Sequence, residues 1–143
     1  EIGVVMMNEN FLNQNPISAV HEDNAIKFFD KIFYASDFSD RNFIGVSGTF
    51  TSVGSMYLNQ TKYSEDEIDK IDISYESINR LYENLKLLTI PQIINSYPSL
   101  DPKRAATITS GLFLIINLLK KYEINQLKVS KSDILEGLIL KYF

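Results

Sequence analysis

The sequence predicts a helix-rich α/β domain with a small sheet. Three observations point there. Short apolar runs alternate with longer stretches of helical period, in the order strand, helix, strand, several helices, strand, helix. The 143 residues suit one domain with enough chain to bury a core. Hydrophobic residues make up 45% and charged residues 22%, which excludes disordered and collagen-like chains.

The elements follow in order. Residues 2–7 (Ile-Gly-Val-Val-Met-Met) form an apolar run that reads as a strand, and the Asn-rich stretch from Asn8 to Pro16 reads as a loop. Ala25, Ile26, Phe28, Phe29, Ile32 and Phe33 recur at mixed three- and four-residue spacing, which predicts an amphipathic helix over 22–35. Residues 37–41 read as a polar turn. Phe43-Ile44-Gly45-Val46 suits a buried strand, followed by a Ser47-Gly48-Thr49 turn and a helix over 51–58. The stretch from Lys62 to Asp72 carries Glu65, Asp66, Glu67, Asp69 and Asp72 and reads as solvated surface.

Ile78, Leu81, Leu85 and Leu88 share one face of a helix over 75–87, and a short helix follows over 90–96. Asp101-Pro102 is a helix start: Asp101 can cap free backbone N–H groups, and Pro102 sits where a missing N–H costs nothing. One helix is expected from 102 to about 121, apolar on nearly every side and so sandwiched in the core. Leu127-Lys128-Val129 reads as a strand, and a helix over 131–142 closes the chain. Three short strands make a marginal sheet, which points to missing partner strands. An unpaired apolar edge would follow, favouring self-association into a homodimer.

Composition narrows the chemistry. There are 14 basic and 18 acidic residues, for a net charge of −4, which argues against a DNA partner. Cysteine is absent, which excludes disulfides, thiol nucleophiles and cysteine-ligated metals and fits a reducing, cytoplasmic setting. The uncharged run from Ala105 to Leu119 is shorter than the ~17–25 residues of a membrane-spanning helix, so no membrane association is expected. The start, Glu1-Ile2-Gly3-Val4-Val5, has no basic region of a signal peptide and no initiator Met, which suggests a fragment.

The most informative stretch is Gly45-Val46-Ser47-Gly48-Thr49-Phe50-Thr51, in the context strand, small-residue turn, helix. Glycine permits positive φ and close approach of a ligand to the backbone. A helix start offers N–H groups and a dipole to an anion, and Ser47, Thr49 and Thr51 add hydroxyls. The alternative is a tight turn with a hydroxyl cap. No Lys follows Gly48, so it is not a Walker A loop, and the spacing is not a dinucleotide fingerprint. Arg104, at the expected helix start, is either a surface charge or an anion ligand. Gly111, inside the apolar helix, costs ~1 kcal/mol against Ala and marks a close approach of another element. His21 is the single histidine, beside Glu22 and Asp23, and reads as structural. Asp37 and Asp40 read as exposed turn acids. No pair of acids has the spacing of a general acid and base.

Arg104-Ala105, Gly111-Leu112, Val129-Ser130 and Leu135-Glu136-Gly137-Leu138 resemble, in order and spacing, landmarks of the exopolyphosphatase/guanosine pentaphosphate phosphohydrolase (Ppx/GppA) family. Gly45-Val46-Ser47-Gly48-Thr49 is similar to that family's second phosphate-site loop, and Gly3-Val4-Val5 with Glu9 and Phe11 resembles the start of its second domain. The departures are Ala106, where the family often has Asp, and Lys131-Ser132-Asp133, where it often has Asp-Gly-Gly. The resemblance implies a ribonuclease-H-like domain of the actin-like ATPase superfamily, lacking its first strands, with residues 1–143 as the C-terminal domain.

It further implies a parent bacterial hydrolase that releases terminal phosphate from polyphosphate or guanosine pentaphosphate with a divalent metal (Mg). On that reading the chain supplies one wall of the phosphate cleft through Gly45, Ser47, Gly48, Thr49 and Arg104. The catalytic Glu lies in a missing N-terminal domain, no residue here is catalytic or metal-binding, and the isolated chain is inactive. Guanosine tetraphosphate is a further ligand the resemblance suggests. The alternative is a non-catalytic alarmone- or nucleotide-binding regulatory or interaction domain.

Overall fold

The computed structural model describes residues 2–34 and 43–142. Within them a three-stranded sheet packs against a layer of helices. The strands are β1 (Phe43–Gly45), β2 (Asp72–Ser74) and β3 (Gln126–Val129). Their order is β1-β3-β2, with β1 parallel and β2 antiparallel to β3. Gly45 pairs with Val129, and Ser130 N continues the ladder onto Gly45 O at 2.9 Å. Leu127, Val129 and Ile73 are fully buried on the helix side. Ile44 is 56% exposed, so β1 is not the buried strand its composition suggests. Among the described residues β1 pairs only with β3.

The helices are α1 (Val4–Asn10), α2 (Ala19–Ile32), α3 (Gly48–Tyr57), α4 (Glu65–Ile68), α5 (Tyr75–Leu85), α6 (Ile90–Ser96), α7 (Pro102–Ala105), α8 (Ile108–Lys121) and α9 (Ile134–Tyr142). α2, α3, α5, α6 and α9 fall where the periodicity places helices. The polar turn over 37–41, with Asp37 and Asp40, lies outside the described residues. Between β1 and β2, the acidic stretch is solvent-facing as expected, with Asp66 and Asp72 paired to Lys131 and Lys128.

Two further expectations are corrected. The run over 2–7 is not a strand: α1 occupies it. Met7 is fully buried while Val5 is 61% exposed, whereas strand alternation would put both on one face. Val4, Met7 and Phe11 instead follow helical spacing onto the core. The single helix over 102–121 is two, broken at Ala106-Thr107. The Asn8 amide, in the orientation that satisfies both its ends, donates to Leu12 O and Ala106 O at 3.1 and 2.9 Å. A carbonyl at the break thus finds a partner outside the helix ladder.

α8 is the core helix. Residues 108–116 and Leu119 are buried, and α1, α3 and α5 all pack on it. Phe113 lies edge-on to Phe29 with centroids 6.5 Å apart, and 6.1 Å from the Tyr82 ring. Gly111 marks the close approach expected of it: a Cβ there would meet Thr49 Cγ2 at 2.6 Å. This contact fixes the N-terminal turn of α3 beside that of α8, and the candidate site lies between them.

Candidate functional site

Parallel pairing of β1 with β3 aims the chain at the start of α3, through Ser47. Ser47 has φ 83° and ψ 172°, a region otherwise almost confined to glycine. The described glycines all have negative φ, so the strained turn rests on a serine and the glycines serve close contacts. Gly45 lies under Phe50: a Cβ would meet that ring at 2.1 Å. Gly48 lies under Arg104: a Cβ would come within 2.0 Å of Nη1. The guanidinium therefore lies directly over the first residue of α3.

Arg104 comes from the last turn of the short α7, not from the first turn of a long helix. Asp101 starts α7 as expected, accepting from Lys103 N at 2.9 Å. Arg104 Nη1 donates to Ser52 Oγ at 3.2 Å, and that hydroxyl donates to Gly48 O at 2.7 Å. Among the described residues no carboxylate pairs with Arg104.

A cleft of about 260 Å³ opens here, lined by Ser47, Gly48, Thr49, Arg104, Thr107 and Ile108. The starts of two helices, α3 and α8, therefore share one wall with a cation. Neither Ser47 nor Thr107 caps its helix with its side chain, and neither helix has an acid in its first turn. First-turn N–H groups and the positive ends of both helices thus face a cavity without negative charge. Such a place favours an anion.

Of the residues singled out from sequence, Ser47, Gly48, Thr49 and Arg104 come together. Gly45 does not line the cleft. Thr51 turns inward and its hydroxyl bonds Gly48 O at 3.4 Å. Sequence reasoning missed Thr107, Ile108 and Ser52. The first two follow from the helix break, which no Gly or Pro signals. His21 lies far along the chain from this cleft, in the first turn of α2, where its Nδ1 accepts from Gln14 Nε2 at 2.7 Å.

The donor set does not fit a divalent metal. Magnesium favours carboxylate oxygens, and no carboxylate lines the cleft. Among the described residues no group of three or more His, Asp or Glu comes together. No helix there is long and apolar enough to cross a membrane.

The fold is that of the C-terminal domain of Ppx/GppA phosphatases. The Ppx/GppA phosphatase of Aquifex aeolicus superposes with a TM-score of 0.86 at 21% identity, over 98% of this chain and 47% of that one. An exopolyphosphatase from Cytophaga hutchinsonii superposes at 0.81, also at 21% identity, over 99% and 47%. In sequence, the bifunctional 3-dehydroquinate synthase/phosphatase of Fusobacterium nucleatum is 30% identical over 146 residues, covering 98% of this chain and 22% of that protein. The chain thus spans under half the length of these solved structures and about a fifth of that relative. No protein-family model matches the sequence.

Proposed function

We propose that this chain is the second domain of a Ppx/GppA-type phosphoanhydride hydrolase and supplies one wall of its phosphate cleft. The observation that carries the reading is the Arg104 guanidinium, unpaired with any described carboxylate, over Gly48 where α3 and α8 both begin. Polyphosphate and guanosine penta- or tetraphosphate are the substrates and ligands this reading names.

In such a hydrolysis, water attacks the terminal phosphorus and the bond to the leaving phosphate oxygen breaks. Negative charge on the phosphoryl oxygens must be held throughout. Here Arg104 and the N–H groups at the two helix starts hold it, pre-positioned and close to one another. The chain's described residues bind and neutralise; they offer no base beside the cleft. On this reading water activation and Mg come from the N-terminal domain that the resemblance implies. On this reading further strands would join the sheet beside β1, which among the described residues pairs only with β3.

The test is calorimetric titration of the chain with tripolyphosphate and guanosine pentaphosphate, alongside Arg104→Ala and Gly48→Val. Losing a hydrogen-bonded cation costs roughly 1.5–3 kcal/mol, so Arg104→Ala should weaken binding about 10- to 150-fold. Gly48→Val should act similarly by displacing the guanidinium. Unchanged affinity in both variants, with circular dichroism showing folded protein, would remove the cleft as the anion site. Vigorous metal-dependent phosphate release by the chain alone would overturn the one-wall reading.

A further inference from the structure

Among the described residues, Ser52 Oγ is the one protein partner of the Arg104 side chain, 3.2 Å from Nη1. The serine is 5% exposed and does not line the cleft, so it can act on a ligand there only through another group. Its hydroxyl has one proton, and that proton goes to Gly48 O at 2.7 Å. The oxygen therefore faces the guanidinium as an acceptor. Donating to a carbonyl polarises the hydroxyl and makes its oxygen the better acceptor. Burial keeps water from competing for it.

Gly48 and Ser52 are four residues apart on α3 and lie one above the other on the same face. The guanidinium fills the space that a Cβ at Gly48 would take. The two residues thus form a seat: glycine gives the room and serine the acceptor. A seat is needed because the start of a helix disfavours a cation. Arg104 also borders a second space, of about 540 Å³, whose walls include Glu65 and Asp101. A guanidinium without an acceptor on α3 would be drawn to that side. A neutral acceptor holds the guanidinium without cancelling its charge, as a carboxylate would. It also occupies one N–H of the fork and leaves the others to an anion.

We propose that Ser52 is a positioning residue of the cleft, whose hydroxyl oxygen seats the Arg104 guanidinium over Gly48. The proposal rests on the phosphate reading of the cleft.

The experiment is a nitrogen–proton NMR titration with tripolyphosphate, which reads weak as well as strong binding and shows from the backbone signals that each variant is folded. The chains are wild type, Ser52→Ala, Ser52→Cys, Arg104→Ala and the double variant of Ser52→Ala with Arg104→Ala. Ser52→Ala should weaken binding about 2- to 10-fold, less than Arg104→Ala. Ser52→Cys keeps the shape but has a weak acceptor, and should behave like Ser52→Ala. Without Arg104, Ser52→Ala should change nothing further. The Arg104 guanidinium signal should relax with the backbone in the wild type and as a mobile side chain in Ser52→Ala, with or without ligand. Ser52→Ala or Ser52→Cys binding like the wild type, while Arg104→Ala binds more weakly, would overturn the seat and leave the phosphate reading standing. Equal weakening by Ser52→Ala with and without Arg104 would also overturn it, because the serine would then act through the fold. Arg104→Ala with undiminished affinity would bring down the phosphate reading, and the proposal with it.

Discussion

Lys86 and Arg104 are both cations lodged at helix ends, and the molecule treats them in opposite ways. Lys86 caps the C-terminal end of α5, the end where a helix dipole favours a cation. Its Nζ lies 3.2 Å from both oxygens of Glu22 and 3.0 Å from Glu83 Oε1. Tyr82, 1% exposed, donates its hydroxyl to the same Glu22 at 2.7 Å. Burial pushes the Lys86 ammonium down, and hydrogen bonds to Glu83 and Glu22 more than reverse it. Every charge in that cluster has a partner, and the cluster ties α2 to α5. Arg104 faces two helix N-termini, the ends where a cation is disfavoured, and among the described residues its side chain has one neutral partner, Ser52. A charge so placed gains little for the fold. The difference separates a cation bonded between two helices from one that, on the proposed reading, is left for an anion.

The sharpest way to break this comparison is to delete one group from each region. Glu22→Ala leaves Tyr82 and Lys86 without their shared acceptor and should cost about 2–3 kcal/mol of stability. Arg104→Ala should change stability by no more than about 0.5 kcal/mol, because Ser52 keeps its bond to Gly48 O. Urea unfolding of both variants measures this. If Arg104→Ala costs as much as Glu22→Ala, Arg104 is a structural pin and the contrast disappears.

The Glu22 cluster should also announce itself in alkali. Burial, then the hydrogen bond to Glu22 and the charges of Glu22 and Glu83, push the Tyr82 phenol far above its usual value of 10.0. The group's folded value is raised, so its contribution is complete below pH 10 and is lost as pH rises toward the folded value. Between those limits the unfolded chain gives up the proton and the folded one keeps it. Stability should therefore fall above pH 10 by up to ~1.4 kcal/mol per pH unit for this group. Burial raises Tyr97 as well, so Tyr82→Phe should shrink the decline without abolishing it. A decline of the same steepness in Tyr82→Phe would show that Tyr82 does not drive it. Unfolding midpoints from pH 8 to 11 decide.

What the sequence disclosed depends on how local the cause is. Ile78, Leu81 and Leu85 mark α5 because burial on one face imposes its period on the chain. Asp101 and Pro102 mark the start of α7 because capping is settled within three residues. α1 was hidden because a short apolar run satisfies strand and helix alike; packing against α8 decides it. The break after Ala105 was hidden because its partner, Asn8, lies almost a hundred residues away in sequence. β2 was hidden because Ile73 is one buried residue between two polar ones. The site was legible in half: Ser47, Gly48, Thr49 and Arg104 carry local signals, whereas Thr107 and Ile108 join only through the break, and Ser52 joins only through the fold.

Ser47 offers the smallest effect and the finest division between the two regions. Its backbone sits where non-glycine residues incur roughly 1–3 kcal/mol of strain. Glycine at this position would relieve that strain but would lose more freedom on folding, which returns part of the gain. Ser47→Gly should therefore stabilise the fold by about 1 kcal/mol, read as a rise in the urea midpoint. If the strained serine is retained because its hydroxyl faces the anion, the same change should weaken tripolyphosphate binding a few-fold. Greater stability with weaker binding would place strain and function in one residue. Greater stability with unchanged binding would leave Arg104 and the two helix starts as the whole of the anion site. A loss of stability would mean that the Ser47 hydroxyl holds the turn, and that this end of α3 is built for the fold as the Glu22 cluster is.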